Sequence, residues 1–159
     1  MTITLDGRWF YEGSPIGRAS LIQLFASVLK REGDDYFLVT PVEKVGITVE
    51  DTPFLITQWR QEPNEETGST VFILTTQTGD EIRLAHPEQM ALRIPPKAIQ
   101  DTEATPIPYM CVRRNLWARL HQNVYYQLLE KAHEENTTDA TRFVLTSADT
   151  QFVIGEVTV

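Results

Sequence analysis

The chain has 159 residues, of which 42% are hydrophobic and 23% are charged, and its formal net charge is −8. This composition excludes an intrinsically disordered protein, because enough apolar side chains are present to build a core. The acidic balance disfavours nucleic acid and anionic membrane surfaces as partners, since both carry negative charge. No apolar run reaches the roughly 20 residues that span a bilayer. The single cysteine, Cys111, predicts no internal disulfide, so a cytoplasmic location is expected.

The N-terminal part of the sequence predicts a strand followed by a helix. The aromatic run Arg8–Tyr11 is typical of a strand, and the segment GSPIGR at 13–18 predicts a turn. In that turn Ser14 is suited to cap a helix, and Pro15 is suited to its first position. The helix is expected from about Ala19 to Arg31, because its apolar residues fall on one face. These residues are Leu21, Ile22, Leu24, Phe25, Val28 and Leu29.

The middle of the sequence predicts strands throughout. Residues Tyr36–Thr40 are apolar at successive positions, which indicates a strand buried on both faces, and Val45–Val49 is expected beside it. Two further strands are expected at Phe54–Gln61 and Thr70–Thr78, and a tight turn leads from the second of them into Glu81–Ala85. The pattern favours a central antiparallel meander.

The C-terminal part of the sequence repeats the order of the N-terminal part. A strand is expected at Pro108–Val112 and a helix from about Leu116 to Glu134, since apolar residues recur there every three to four positions. Two more strands are expected at Phe143–Thr146 and Phe152–Val157. A chance likeness between two common helix–strand units is the alternative to a true internal repeat.

The repeated order predicts an α+β fold with two similar lobes. Each lobe would be a helix packed on antiparallel strands, with the meander between them. The proline-rich segment 96–108 is expected to be an extended connector, because proline disfavours both helix and sheet pairing. It would separate an N-terminal lobe with the meander, residues 1–95, from a C-terminal lobe, residues 109–159.

No motif of catalysis or metal binding is legible in the sequence. His86, His121 and His133 are too scattered for a metal site, and no phosphate-binding glycine loop or nucleophile elbow occurs. Cys111 lies among apolar strand residues, where packing is a more typical role than nucleophilic chemistry. No catalytic residue, no metal and no cofactor is therefore assigned.

Three arginines near the expected start of the second helix form the one local basic cluster. Arg113, Arg114 and Arg119 are close in sequence, and a helix start together with arginine can bind an anion. A solvated surface is the commoner role for such a cluster. Both interpretations stay open at this point.

Several strings resemble a bacterial family known as domain of unknown function 1285. They are GSPIGR at 13–18, YFLVTPVEKVGITVED at 36–51, and the later stretch from His86-Pro87 through Pro108-Tyr109 to Val124-Tyr125-Tyr126. The resemblance implies an α+β fold with two similar lobes, no established enzymatic activity, and a suggested role in signalling or ligand sensing. It carries over no catalytic residues. Asn115 stands where the family usually has a glycine-containing turn, and asparagine tolerates the left-handed conformation.

The first functional hypothesis is a non-enzymatic binding or regulatory module. Its site would lie at the seam between the lobes and would take a small anionic ligand or a protein partner, because a helix N-terminus and an arginine favour carboxylates and phosphates. The sequence does not indicate the oligomeric state. The predicted binding residues are Ser14, Gly17, Arg18, Thr40, Glu43, Lys44 and Arg113.

The second hypothesis is an enzyme that uses carboxylates and a histidine as general acid and base. It requires at least two of Glu43, Asp51 and His86 to approach a common point.

The third hypothesis is a structural interaction protein, with a homodimer as one form of it. It requires an exposed aromatic patch of the kind that marks interfaces. The aromatic residues considered for this patch are Trp9, Phe10, Trp59 and Trp117.

Overall fold

The computed structural model describes residues 1–158, and in these residues the β-strand is the dominant element. Strands account for 50% of the chain and helices for 16%. In the first part of the chain the elements are β1 (Thr2–Ile3), β2 (Trp9–Tyr11), β3 (Ser14–Pro15), α1 (Ala19–Ser27), β4 (Leu29–Glu32), β5 (Asp35–Val39) and β6 (Lys44–Val49). They continue with β7 (Phe54–Pro63), β8 (Thr70–Thr76), β9 (Glu81–Arg83), a 3-10 helix (Pro87–Gln89), β10 (Met90–Arg93), a second 3-10 helix (Lys97–Ile99) and β11 (Ile107–Arg113). The last elements are β12 (Leu116–Leu120), α2 (Gln122–Lys131), β13 (His133–Asn136), β14 (Ala140–Ser147) and β15 (Thr150–Thr158).

The strands of residues 1–158 form three sheets. The first sheet has the order β3-β2-β1-β6-β5-β4, the second has the order β10-β11-β12-β7-β8-β9, and the third is the meander β13-β14-β15. Each six-stranded sheet contains one parallel pair near its middle, β1 with β6 and β7 with β12. These parallel pairs join strands that lie far apart in the sequence, and they fix how the hairpins combine into sheets.

The two α-helices each bury one face against the sheets. Ala26 is the buried residue of α1, and the half-buried Phe25 stacks on Trp9 with ring centroids 6.2 Å apart. In α2 the buried residues are Val124 and Leu128, which lie one turn apart on the same face. α1 therefore packs against the first sheet through Phe25 and Trp9, and α2 contributes Val124 and Leu128 to the core.

A single hydrophobic cluster connects the three sheets. It includes Ile3 and Trp9 of the first sheet, Phe54 and Leu120 of the second, and Leu145 of the third. All five side chains are at most 3% exposed. Because one core serves all the sheets, the elements fold around a common interior.

The predicted α+β fold of two similar lobes, each a helix packed on antiparallel strands, is wrong. Residues 116–120, expected to open the second helix, form strand β12, and residues 29–31, expected to end the first helix, belong to strand β4. The apolar spacing of Leu116, Trp117 and Leu120 fits either a helix or a buried strand, and pairing with β7 and β11 decides for the strand. Leu29–Glu32 has one apolar residue, and its pairing with β5 makes it a strand. The result is a β-rich fold with few helices.

The proline-rich segment connects two neighbouring strands of the second sheet. β10 and β11 pair as antiparallel strands on either side of it, with Arg93 opposite Ile107. Pro95 is buried at its start. Residues 96–106 therefore form a connection between two strands of one sheet, and they are half-buried or exposed.

Candidate functional site

Six of the seven predicted binding residues lie on the surface of the first sheet and its turns. Ser14 is exposed in β3, and Gly17 and Arg18 are exposed immediately before α1. Arg18 occupies the N-cap position, and its side chain makes no capping hydrogen bond. Ser14, expected to cap the helix, instead pairs with Tyr11 across the β2–β3 ladder.

The other predicted residues of the first sheet form the turn between β5 and β6. The backbone N–H of Glu43 donates to the hydroxyl of Thr40 over 3.2 Å, which closes the turn. Lys44 forms a 2.7 Å ion pair with Glu32, and its ammonium lies 4.4 Å from the ring centroid of Phe37. These contacts are those of an exposed hairpin.

Arg113 lies apart from the other predicted residues, beneath the C-terminus of α1. Its guanidinium forms a 2.9 Å ion pair with Asp80 and donates to the backbone carbonyl of Ala26 over 2.6 Å. A cavity of ≈ 280 Å³ opens here, called the α1 cavity below. It is lined by Gln23, Ala26, Ser27, Thr78, Asp80 and Arg113. Arg113 is the one predicted binding residue that lines it.

A larger cavity, of ≈ 550 Å³, lies between the β1–β2 loop, the proline-rich segment and the start of α2. It is called the junction cavity below. Its apolar walls are Leu5, Leu55, Pro95, Ile99, Ile107 and Leu120. Tyr125 and Tyr126 extend these walls, with ring centroids 6.3 Å apart and planes inclined by 29°. None of the seven predicted binding residues lines this cavity.

Arg119 supplies a buried charge to the wall of the junction cavity. Its side chain is only 10% exposed, and its Nη1 lies 2.8 Å from a carboxylate oxygen of Asp51. Its Nη2 donates to the backbone carbonyl of Leu5. The same oxygen of Asp51 accepts a 3.0 Å hydrogen bond from the hydroxyl of Tyr109. These two contacts and the planar guanidinium define the orientation of the Arg119 side chain.

Tyr109, which bonds Asp51, is 2% exposed. Burial raises the pKa of Tyr109 well above its ordinary value of 10.0, and the negative charge of Asp51 raises it further. Burial also raises the pKa of Tyr125 on the cavity wall. Both phenols are therefore neutral hydrogen-bond donors at physiological pH.

The start of α2 forms another part of the wall. The Nδ1 atom of His121 accepts a 3.1 Å hydrogen bond from the backbone N–H of Asn123, so it caps the helix. A ring nitrogen that accepts carries no proton, which leaves the hydrogen of the neutral imidazole on Nε2. The Gln122 amide donates to the hydroxyl of Tyr126 over 3.0 Å.

Two aspartates mark the exposed edge of the junction cavity. Asp6 is exposed in the β1–β2 loop, and Asp101 is exposed in the proline-rich segment. Hydrogen bonds from Thr105, first from its hydroxyl and then from its backbone N–H, lower the pKa of Asp101. Both carboxylates lie at the rim, and Asp6 is 3.9 Å from the guanidinium of the exposed Arg8.

Family comparisons place this architecture among known proteins. The family model described as "Domain of unknown function (DUF1285), N-terminal domain" matches residues 1–52, and the model "Protein of unknown function (DUF1285), C-terminal domain" matches residues 53–154. The chain belongs to the DUF1285 family. This confirms the resemblance found in the sequence.

Solved structures of DUF1285 proteins share the fold. A crystal structure of a DUF1285 family protein from Silicibacter pomeroyi DSS-3 is 35% identical, with a TM-score of 0.78, covering 99% of this chain and 80% of that one. A second, from Shewanella baltica OS155, is 31% identical, with a TM-score of 0.61, covering 81% of this chain and 89% of that one. No curated protein sequence matches the chain.

The two DUF1285 domains meet at the junction cavity. The first sheet, β1 to β6, falls inside the N-terminal domain, and the other two sheets belong to the C-terminal part of the chain. Arg119 of the C-terminal domain binds Leu5 and Asp51 of the N-terminal domain. The predicted connector at 96–108 lies inside the C-terminal domain.

The residues of the acid–base hypothesis do not come together in this DUF1285 structure. Glu43 is exposed in the β5–β6 turn, and His86 is exposed before the first 3-10 helix. Asp51 is bound by Arg119 and Tyr109. None of the three lines either cavity.

The aromatic residues of the interaction hypothesis also lie apart. Trp9 is 1% exposed in the core, and Phe10 is half-buried in β2. Trp59 donates its indole N–H to Gln127 over 2.7 Å, whereas Trp117 lies beneath the guanidinium of Arg93 at 4.3 Å. Because Trp9 is buried and the other three are half-buried, the four do not form one exposed patch.

Two absences complete the description of the sites. Within residues 1–158, no group of three His, Cys, Asp or Glu side chains is arranged to hold a metal ion. Neither α-helix in that range is long and apolar enough to cross a membrane.

Sequence reasoning missed Arg119 as a site residue and noticed it only as part of the arginine cluster. The usable signal was local. Arg119 interrupts an otherwise apolar run, Leu116-Trp117-Ala118-Arg119-Leu120, and a charge inside a buried strand needs a partner. The cluster itself is dispersed, since Arg113 lines the α1 cavity, Arg119 lines the junction cavity and Arg114 is exposed in a turn. That turn holds its left-handed residue at Arg114, with φ of 53°, and not at Asn115 as expected.

Proposed function

We propose that this protein is a binding module for a small organic molecule, and that the junction cavity is its site. The observation that carries the proposal is one cavity of ≈ 550 Å³ with apolar walls and a buried arginine. Small-molecule sites in proteins usually have volumes of about 300 to 1,000 Å³, mostly apolar walls and a few fixed polar groups. The α1 cavity is smaller and lacks a comparable apolar wall.

The composition of the wall supports an apolar body for the ligand. Aliphatic residues and two tyrosines provide most of the lining, so a ligand would bury apolar surface against them. Ile99 and Tyr126 are 39% and 53% exposed. A bound molecule would remove part of this exposed apolar surface from water.

The location of the cavity supports a regulatory role for the module. Its lining comes from both DUF1285 domains, because Leu5 and Asp6 belong to the N-terminal one. A ligand that contacts both domains stabilises their association by the free energy of its binding. Binding of the ligand would thus change the free energy of association of the two domains. A sensing module could transmit a signal through this change.

The test is a thermal-shift screen with small amphipathic molecules, followed by titration of the compounds that raise the melting temperature. Tyr126→Ala removes an aromatic wall and is expected to weaken these compounds about tenfold, equivalent to about 1.4 kcal/mol. Tyr11→Ala is the matched control, because Tyr11 is 55% exposed and lies in β2, away from the cavity. If no compound raises the melting temperature, the proposal fails.

A second pair of variants tests the location of the site. Ile99→Trp places a larger side chain at the cavity wall and is expected to abolish binding of the compounds found in the screen. Ile94→Trp makes the same change at an isoleucine that is 59% exposed and does not line the cavity. Equal affinities for the two variants would show that the compounds bind elsewhere.

A further inference from the structure

We propose that the ligand of the junction cavity carries a single carboxylate and that Arg119 binds this group. The inference rests on the proposed function and specifies its ligand class. It moves the expected anion site from the start of α1 to the side chain of Arg119. Its support comes from the unused donors of Arg119, the charges of the cavity rim and the apolar walls.

Arg119 has hydrogen-bond capacity that its protein partners do not use. A guanidinium has five N–H donors. Within residues 1–158, Asp51 takes one donor of Nη1 and Leu5 takes one donor of Nη2. Three N–H donors remain on a side chain that is 10% exposed and that lines the cavity. Planar pairs of guanidinium donors match the two oxygens of a carboxylate.

The groups around Arg119 favour an acceptor at this wall. The Oδ2 atom of Asp51 accepts hydrogen bonds from both Arg119 and the hydroxyl of Tyr109. Asp51 therefore uses one of the donors of Arg119, Leu5 uses another, and the others are left for a ligand. His121 lines the same cavity with the hydrogen of its neutral ring on Nε2. The N-terminal end of α2 adds partial positive charge, which strengthens the preference for a negative group.

The rim of the cavity limits the ligand to one negative charge. Asp6 and Asp101 carry carboxylates at the exposed edge of the cavity, and like charges repel across short distances. A phosphate or a dicarboxylate would bring a second negative charge toward them. The apolar walls formed by Leu55, Ile107 and Leu120 favour an uncharged remainder of the ligand. The class that fits is a monocarboxylate with an aliphatic or aromatic body.

The experiment compares three probes that share an aromatic body. 4-Phenylbutanoate carries a carboxylate, 4-phenylbutanamide is its neutral analogue, and phenyl phosphate carries a second charge. Titration of the full chain by calorimetry is expected to give the carboxylate about tenfold higher affinity than the amide, because a charge-assisted hydrogen bond is roughly twice as strong as a neutral one. The carboxylate is also expected to bind several-fold more tightly than the phosphate, because the aspartates at the rim repel a second negative charge. NMR of the arginine Nε–H groups is expected to show the Arg119 signal shifting with the carboxylate.

The outcomes separate this inference from the proposed function. If the amide binds as tightly as the carboxylate, or if the Arg119 signal does not move, the carboxylate assignment is wrong while the binding module stands. If phenyl phosphate binds as tightly as the carboxylate, the limit to one charge is wrong. If none of the three probes binds and the screen also finds no compound, the proposed function itself fails.

Surface variants provide a test that does not disturb the core. Asp6→Asn removes one rim charge and is expected to raise the affinity for phenyl phosphate several-fold, because repulsion between exposed charges is worth up to about 1 kcal/mol. Asp139→Asn makes the same charge change at an exposed residue in the turn before β14 and is expected to leave the affinity unchanged. An equal response of the two variants would overturn the role of the rim.

Discussion

Two arginines from the β11–β12 region connect the two DUF1285 domains, and they do so in different environments. Arg119 pairs with Asp51 and donates to the carbonyl of Leu5. Arg113 pairs with Asp80 and donates to the carbonyl of Ala26. The side chains of the first pair are 10% and 13% exposed, whereas those of the second are 36% and 31% exposed.

The pairs differ in burial and in the other hydrogen-bond partners of each aspartate. Asp51 also accepts from the phenol of Tyr109, a group that can ionise. Asp80 accepts from the hydroxyls of Thr76 and Thr78, which do not ionise in water. We therefore expect the Arg119–Asp51 pair to matter far more for stability than the Arg113–Asp80 pair. The reason is that an unpaired charge costs much more free energy when it is buried.

The largest expected effect comes from removing the buried arginine. Arg119→Ala leaves the carboxylate of Asp51 buried without its counter-charge, so the free energy of unfolding is expected to fall by about 3–5 kcal/mol. Urea denaturation at neutral pH measures this loss. The double variant Arg119→Met with Asp51→Leu is the control, because it removes both charges and should recover most of the stability. A loss below about 1 kcal/mol for Arg119→Ala would contradict the assignment of a buried pair.

The second effect is a pH dependence that only the buried pair should show. The pKa of Tyr109 is raised above 10.0 in the folded state, so the unfolded chain loses this proton first as the pH increases. Stability is therefore fully present below pH 10 and decreases above it, by up to about 1.4 kcal/mol per pH unit for one group. Tyr109→Phe removes this contribution, so its stability is expected to decrease less steeply above pH 10.

Denaturation of the chain between pH 9 and pH 11.5 measures this slope. Arg113→Ala is the control, because no tyrosine hydroxyl bonds Asp80 and the slope should match that of the unchanged protein. Tyr36 and Tyr125 also have pKa values raised by burial, so part of the slope remains in Tyr109→Phe. Identical slopes for Tyr109→Phe and the unchanged protein would contradict the linkage.

The third effect is the loss from removing the more exposed arginine. Arg113→Ala breaks a pair that water and ions reach, so the free energy of unfolding is expected to fall by about 1 kcal/mol. Part of this loss comes from the carbonyl of Ala26 at the end of α1, which loses its donor. Urea denaturation under the conditions used for Arg119→Ala gives the comparison. A loss as large as that of Arg119→Ala would show that the exposed fractions do not govern the energetics.

The smallest effect is the response to salt. Raising the NaCl concentration from about 0.1 M to about 1 M shortens the screening length from roughly 10 Å to roughly 3 Å. The loss caused by Arg113→Ala is expected to shrink by a few tenths of a kcal/mol, whereas the loss caused by Arg119→Ala should stay the same. Paired urea denaturations at both salt concentrations measure the difference. A larger salt response at Arg119 would reverse the comparison.

Local sequence patterns predicted many elements of this fold correctly. Strands were expected at Tyr36–Thr40, Val45–Val49 and Thr70–Thr78, and the structure confirms them at Asp35–Val39, Lys44–Val49 and Thr70–Thr76. These segments have runs of β-branched, aromatic and other apolar residues, so their burial and their local geometry agree. The family resemblance also followed from sequence strings alone.

The same patterns failed where a segment suits two structures. Leu116, Trp117 and Leu120 are spaced as in an amphipathic helix, and they were assigned to one. They form a strand because β7 and β11 lie on either side of them in the second sheet. The predicted binding residues lie apart in the structure: Ser14 and Lys44 line neither cavity, whereas Arg113 lines the α1 cavity.

The sequence by itself determined the family, the acidic balance, the lack of legible catalytic motifs and most of the local strands. The tertiary structure decided the pairing of distant strands, such as Ala118 beside Phe54, and with it the position of Arg119 against Leu5 and Asp51. The physical reason is that periodicity in a sequence indicates which side chains are buried. It does not indicate which distant segment packs against them. A charged residue inside an apolar strand, such as Arg119, indicates that it needs a partner. Only the folded chain shows that this partner comes from the other domain and that the junction cavity opens beside the pair.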